Sequence, residues 1–395
     1  MPAAEARLDA RIFLLALGTF AIGTDVFVIA GILPAIARDL AVPVEAAGQI
    51  VTLYALTYAL GSPLLAALTA PWRKERVIIL ALAGFAFADA VCAVAPNFLV
   101  LAVARVLAGS CAALYAPTAY ALAAALAPPA RRGAGLAAVA LGMTSATVFG
   151  VPLGAAIGHR FGWHVTFMFG MTLAACAAMA LAYWRLPALG ATPAPRLRER
   201  FAPLGDRAVL LPLVANFLWS TGNYIVYTYS AVLFGARLGL DDIALLLMGY
   251  GCGGLAGSQL GGRLADRVGA VPLILGCVGV NALNMAAIDF TGGSFIGAFA
   301  ALFMLAFSGW AVFPAQQTRL LALAPAHGGV VLSLISSTIY IGSASGAAIG
   351  GLLLAHAAPP ALPIAAAIVV VLGIVIFATS LGRARRDECP TGASK

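Results

Sequence analysis

Charge is the scarcest commodity in this sequence. Asp, Glu, Lys and Arg together make up 10% of the 395 residues, against about 25% in soluble domains. With 62% of residues hydrophobic and a mean hydropathy of +1.00, the chain lacks the polar surface that a water-soluble body of this length needs. Cysteine is sparse as well. The six cysteines (Cys92, Cys111, Cys176, Cys252, Cys277, Cys389) show no paired spacing, and five lie in apolar runs. They read as small packing residues, not as a disulfide framework or metal centre. The four histidines, His159, His164, His327 and His356, fall at loop edges and are not spaced with acids or cysteines as a metal set. A glycine-rich phosphate cradle after a strand is missing, which argues against ATP-driven work. No nucleophile–base constellation marks an enzyme. Neither metal, organic cofactor nor nucleic-acid partner is expected.

What the chain does have is long apolar runs. Twelve helices are predicted, at 11–33, 46–69, 77–95, 98–126, 134–158, 164–185, 208–234, 242–265, 271–290, 294–322, 330–355 and 361–381. Each is about long enough to cross a bilayer, which needs about 20 apolar residues. The first run leads into further spans and carries no cleavable signal. The longest polar stretch lies midway and divides the chain into residues 1–186, a linker at 187–207, and residues 208–395. The fold class expected is an all-α integral membrane protein of twelve transmembrane helices in two pseudo-symmetric six-helix bundles.

The net charge of +8 is distributed by topology. Of 23 Lys and Arg residues, nineteen lie before the first span, after the last, or in every second loop. Only Arg38, Arg160 and Arg237 lie in the alternate loops, and Arg105 is inside a span. This asymmetry puts both termini on the cytoplasmic side. The basic balance therefore speaks of a membrane surface, and lipid is an expected partner.

An internal repeat supports the division into halves. Gly154-Ala-Ala-Ile-Gly158 in helix five recurs as Gly346-Ala-Ala-Ile-Gly350 in helix eleven. Each copy extends at a spacing of four, through Gly150, Gly154 and Gly158 and through Gly342, Gly346 and Gly350. Small residues four apart share a face and let backbones approach closely. The stripes are expected at the surface where the halves rock, so that Gly154→Leu or Gly346→Leu blocks motion and spares folding.

The few charges inside spans are the candidate chemistry. Asp25 is the only acid in the first span. A carboxylate there costs several kcal/mol facing lipid, so it faces protein or a water-filled path. It is read either as a carrier of protons or as an acid that only holds helices together. Counted from the predicted helix ends, Asp25 lies about 8 residues deep, Arg105 about 7 and Asp89 about 6, one common depth band at 1.5 Å per residue. An Asp25–Arg105 pair is expected, since a lone buried Arg is costly. Asp89 is read as a hydrogen-bonded structural acid or as a further coupling residue. Asp289 is expected to be solvated near the outer surface, and Arg38, Asp39 and Glu45 to belong to an outer loop.

Four stretches make the chain resemble the major facilitator superfamily over nearly its whole length. Within it, the likeness is to the bacterial twelve-helix drug:proton antiporters and their sugar- and purine-efflux relatives. Residues 23–34 (GTDVFVIAGILP) look like that branch's first-helix motif, and 101–109 (LAVARVLAG) like its fourth-helix arginine motif. Gly150-Val-Pro152-Leu-Gly154 looks like the fifth-helix antiporter motif, with Val151 splitting the usual Gly-Pro pair. Gly262-Arg-Leu-Ala-Asp266-Arg267-Val-Gly269 looks like the signature loop. The first-half copy of that loop departs from the pattern, with Ala70 opposite Asp266 and a basic cluster of Arg73, Lys74 and Arg76 beside Glu75.

The resemblance implies alternating access about a midplane cavity. Residues expected to line it are Tyr54 and Tyr58 of helix two, Tyr115 of helix four, and Asn216, Trp219, Ser220, Asn223 and Tyr227 of helix seven. Gln316 and Gln317 of helix ten and Tyr340 of helix eleven complete the set. Aromatic rings with amides and hydroxyls suit neutral or weakly amphipathic organic molecules. The expected function is efflux of a small organic compound against protons, the proton being the coupling ion. Asp25, Arg105 and Asp89 are the expected coupling residues. Gating is assigned to the two glycine stripes, Pro152, Asp266, Arg267 and Gly269. A monomer in a bacterial inner membrane is expected. An uncoupled facilitator or importer, and more remotely a non-transporting receptor, remain as alternatives.

Overall fold

Backbone polar groups have no water to bond in hydrocarbon, so a spanning chain must satisfy them within helices. The computed structural model, which describes residues 8–184, 186, 202–325 and 328–387, is helical throughout its spans. In chain order the long helices are α1 (Ala10–Asp39), α2 (Gln49–Leu68), α3 (Lys74–Ala93), α4 (Phe98–Leu126), α5 (Arg132–Phe161), α6 (Trp163–Tyr183), α7 (Arg207–Thr228), α8 (Ala244–Val268), α9 (Ala270–Thr291), α10 (Phe295–Leu323), α11 (Gly328–His356) and α12 (Ala361–Asp387). Among the described residues eleven helices are long and apolar enough to cross a membrane. α8 has the length but is diluted by glycine and by Arg263, Asp266 and Arg267. Leu56, Leu60, Leu64 and Leu68 run down α2 as an exposed stripe spaced by four, a surface suited to lipid. The 187–207 linker lies outside the described residues except for its end at Ala202–Arg207, and so do Arg185, His327 and Cys389.

Local chemistry sets the helix ends. Asp9 starts α1 by accepting from the Arg11 N–H at 2.9 Å, and Asn97 and Ser294 cap α4 and α10 in the same way. Single glycines join α5 to α6 and α8 to α9: Gly162 has φ +91° and Gly269 φ +87°, conformations that L side chains rarely adopt. α5 contains a π turn over Ala146–Gly150. Pro152 follows two residues later and has no N–H to offer the Val148 carbonyl, which is one reason for the ladder to widen there.

The glycine stripes lie inside the bundles, not between them. Cβ atoms added at Gly154 and Gly158 would stand 2.9 and 2.6 Å from Cγ2 of Val28 and Ile32, and one at Gly150 would strike Thr24. α5 is thus keyed against α1 at three successive turns. In the second half, Gly342 abuts Ser220, Gly346 the Thr221 carbonyl and Gly350 the Tyr229 ring, keying α11 against α7. In lipid such close packing replaces the hydrophobic drive between helices. The expectation that Leu here would spare folding is therefore corrected. The glycines hold each bundle together.

The bundles meet at other residues. Tyr227 of α7 donates to the Phe27 carbonyl of α1 at 2.7 Å. Thr52 of α2 donates to the Ala344 carbonyl of α11 at 3.3 Å. The Tyr58 and Tyr340 rings stack with centroids 3.6 Å apart. A Cβ at Gly31 would lie 2.8 Å from both Ala155 and Leu247, and Gly251 of α8 lies against the Thr147 carbonyl of α5. All these contacts run from about the helix midpoints toward the face opposite the termini. The structure is sealed on that far face.

Candidate functional site

α1 and α4 together build the one buried ion pair among the described residues. Nη1 of Arg105 donates to Oδ1 and Oδ2 of Asp25 at 2.8 and 2.7 Å. The two residues are 1% and 3% exposed. The Tyr54 ring of α2 lies 4.5 Å from the guanidinium carbon and the Phe167 ring of α6 lies 5.8 Å from it. Four helices therefore converge on one cation. A desolvated cation over an aromatic face gains up to about 2 kcal/mol, while removing one partner of a buried pair costs about 3–5 kcal/mol. The pairing predicted from depth is present, but the outer end of the first helix lies at Asp39, six residues beyond the predicted one. α1 continues through Pro34 to Asp39, so Asp25 lies near its middle, while Arg105 lies seven residues from the start of α4 and reaches inward.

Asp89 joins the same neighbourhood differently. It is fully buried, and neither carboxyl oxygen has a hydrogen-bond partner. A Cβ at Gly170 of α6 would lie 2.6 Å from its Oδ2, so only glycine leaves room there. The expectation of a hydrogen-bonded structural acid is corrected: among the described residues no donor reaches it.

Most expected cavity residues have structural duties in this conformation. The Tyr115 hydroxyl donates to the Leu15 carbonyl at 2.6 Å, fastening α4 to α1. Asn216 Nδ2 donates to Thr338 Oγ1 and Ser220 Oγ to the Ile339 carbonyl, both at 2.8 Å, fastening α7 to α11. Asn223 Nδ2 donates back to the Trp219 carbonyl at 3.0 Å, and Gln316 Nε2 to the Pro212 carbonyl at 3.0 Å. Asn216, Trp219 and Gln316 do share a cavity, but at about 20 Å³ it holds roughly one water. Tyr227 belongs to the far-face seal. Gln317 is half-exposed and makes no hydrogen bond among the described residues. Tyr54, Tyr58 and Tyr340 form an aromatic path running from Arg105 to the bundle interface.

The expected gating loop is loosely held. Asp266 and Arg267 are exposed and make no hydrogen bond or ion pair among the described residues. Gly269 is a helix joint. In the first-half copy, Arg73 pairs with the largely buried Glu75.

Three features escaped sequence reasoning. Asp39 is not in a loop; it ends α1 and accepts from Trp163 Nε1 at 2.9 Å. Asp289 is not free in solvent but pairs with Arg237. Tyr229 bonds the Ala347 carbonyl at 2.8 Å and packs over Gly48 and Gly351, at the edge of the seal. Continuing the helical register through Pro34 would have located Asp39. The other two depend on contacts between distant segments.

Comparison with known proteins agrees with this architecture. The family model described as Major Facilitator Superfamily matches residues 15–327. The uncharacterized MFS-type transporter YbcL of Bacillus subtilis is 30% identical over 92% of this chain and 94% of its own. The inner membrane transport protein YdhP of Escherichia coli is 27% identical over 97% and 99%. A chloramphenicol resistance protein of Streptomyces lividans is 36% identical over 65% and 67%. Among solved structures, a peptide transporter POT in complex with sulfate superposes with a TM-score of 0.78 at 14% identity, over 97% of this chain and 95% of that one, a likeness of fold alone. Twelve long helices in two keyed bundles and these matches lead to one conclusion: the chain belongs to the major facilitator superfamily, as a multi-pass membrane transporter.

Proposed function

We propose that this transporter exports a small organic compound in exchange for protons, from a bacterial inner membrane in which both its termini are cytoplasmic and it works as a monomer. The observation that carries the reading is the dry Asp25–Arg105 pair at the middle of α1. A charge pair costs several kcal/mol to desolvate, and a helix bundle needs none to hold its shape. A protonated Asp25 loses its charge attraction for Arg105, so a proton can switch the contact that ties α1 to α4. Asp25 sits two residues from Phe27, whose carbonyl accepts the Tyr227 bond across the bundle interface. A change at Asp25 is therefore transmitted directly to the seal. In the cycle, Asp25 takes a proton from the outer side, the bundles rock, and a proton is released to the cytoplasm before the pair re-forms. Tyr58 and Tyr340, stacked on each other here, would present flat aromatic faces to a neutral organic cargo where the bundles part, and the name of the Streptomyces relative makes chloramphenicol the first probe.

The test is uptake of chloramphenicol into everted vesicles with an acidified lumen. The wild type should accumulate it, and Asp25→Asn should only equilibrate it, because Asn keeps the shape and loses the titratable proton. Accumulation undiminished in Asp25→Asn would remove Asp25 as the carrier. A wild type that equilibrates the probe with no response to the pH gradient would favour a facilitator.

A further inference from the structure

Two buried acids share one buried cation in the first bundle, and this stoichiometry has a consequence. Arg105 neutralises one carboxylate; Asp25 has it, and Asp89 interacts electrostatically with both without a donor of its own. An ionised Asp89 in that setting would be a desolvated, unbonded charge, which proteins of this kind do not tolerate. Arg105 for its part keeps Nε buried and unpartnered. The remaining titratable groups facing the cluster are Tyr54 from α2, Cys92 from α3 and Cys111 from α4. From α6, Phe167 faces Arg105 and Gly170 faces Asp89. No second cation is present among the described residues of the cluster. Gly170 reserves the space into which the Asp89 carboxyl fits.

We infer that Asp89 is the alternate partner of Arg105: it holds a proton while Arg105 pairs with Asp25, and it takes Arg105 over when Asp25 is protonated. The inference rests on the proton-coupled reading above and deepens it. The balance is closed. An O–H bond forms on Asp25 and one breaks on Asp89, Arg105 stays protonated, and the net charge of the cluster does not change. The cycle resets when the proton of Asp25 passes to Asp89 and Arg105 swings back. One proton thus enters at Asp25 and leaves from Asp89 per cycle, and the buried cluster never carries an unpaired charge. Asp89 thus carries the coupled proton in one half of the cycle and pairs with Arg105 in the other.

Infrared spectroscopy of the purified full chain, with aspartate carboxyl carbons isotopically labelled, tests this without a transport substrate. At neutral pH the wild type should show a label-sensitive carboxylic-acid C=O band that is absent from Asp89→Asn. The same band should also vanish in Asp25→Asn. There Arg105 is released to Asp89, which ionises, although the residue removed was itself a carboxylate. A wild type without the band, or a band that persists in Asp25→Asn, overturns the exchange. The Asp25→Asn comparison decides the matter even if Asp89→Asn does not fold. Failure of the antiport reading would be seen separately, as vesicles that ignore the pH gradient whatever the infrared bands do.

Discussion

At the residue scale, several buried polar side chains join one helix to another. Asp39 and Trp163 join the ends of α1 and α6 through a charge-assisted bond of 2.9 Å. Trp163→Phe keeps most of the packing and removes the donor. It should lower stability by about 1.5–3 kcal/mol, the range for hydrogen bonds to charged groups, seen as a lower melting temperature of the detergent-solubilised protein with the transport assay otherwise intact. An unchanged melting temperature would mean that water replaces the indole N–H without cost. Tyr54 has a different duty. Its hydroxyl has no partner and its ring lies under Arg105. Tyr54→Phe should therefore leave pH-driven accumulation close to wild type, while Tyr54→Ala should weaken it by removing the face that orients the guanidinium. Equal damage from both substitutions would move the role to the hydroxyl.

At the scale of elements, the glycine stripes decide which helices travel together. α1 with α5, and α7 with α11, are locked at successive turns, so rocking cannot occur along these surfaces. Gly346→Leu would drive a side chain into the Thr221 carbonyl, part of a helix backbone, and should abolish folded protein as judged by size-exclusion of the solubilised sample. Gly154→Ala meets a Val28 methyl at 2.9 Å and a Thr166 methyl at an ordinary 3.5 Å, side chains and not backbone. It should cost about 1–3 kcal/mol by overpacking and leave a folded transporter. A Gly346→Leu protein that is monodisperse but inactive would instead restore the stripe to the moving interface. The one-residue joints at Gly162 and Gly269 work at the same scale, since their positive φ lets a helix end and the next begin without a loop.

At the scale of the whole molecule, the seal on the far face defines the conformational state. Thr52 and Ala344 face each other across it, through the hydroxyl-to-carbonyl bond of 3.3 Å between α2 and α11. A Thr52→Cys/Ala344→Cys pair should be joined by a short thiol cross-linker, arresting transport until the link is cleaved. The expected loss is near complete, because separation of the bundles on this face is half of alternating access. Cross-linked protein that still transports would show that the seal opens elsewhere.

Composition, the positions of charge clusters and the repeat were enough to read twelve helices, two halves and membrane residence, because these depend on hydropathy and length alone. They also pointed to Asp25 and Arg105, since so few charges lie within the spans that a buried acid and a buried base must seek each other. What the one-dimensional pattern could not decide is which face of each helix meets which neighbour. A stripe of small residues looks the same whether it packs inside a bundle or between bundles, and a polar face on α7 looks the same whether it lines a cavity or bonds to α11. Only the tertiary arrangement put Gly154 against Val28, tied Asn216 to Thr338, and left Asp89 against Gly170 without a donor. Those outcomes depend on helix rotation and contacts across eighty or more positions of chain, where the energy of a pairing is set by geometry that no local pattern encodes.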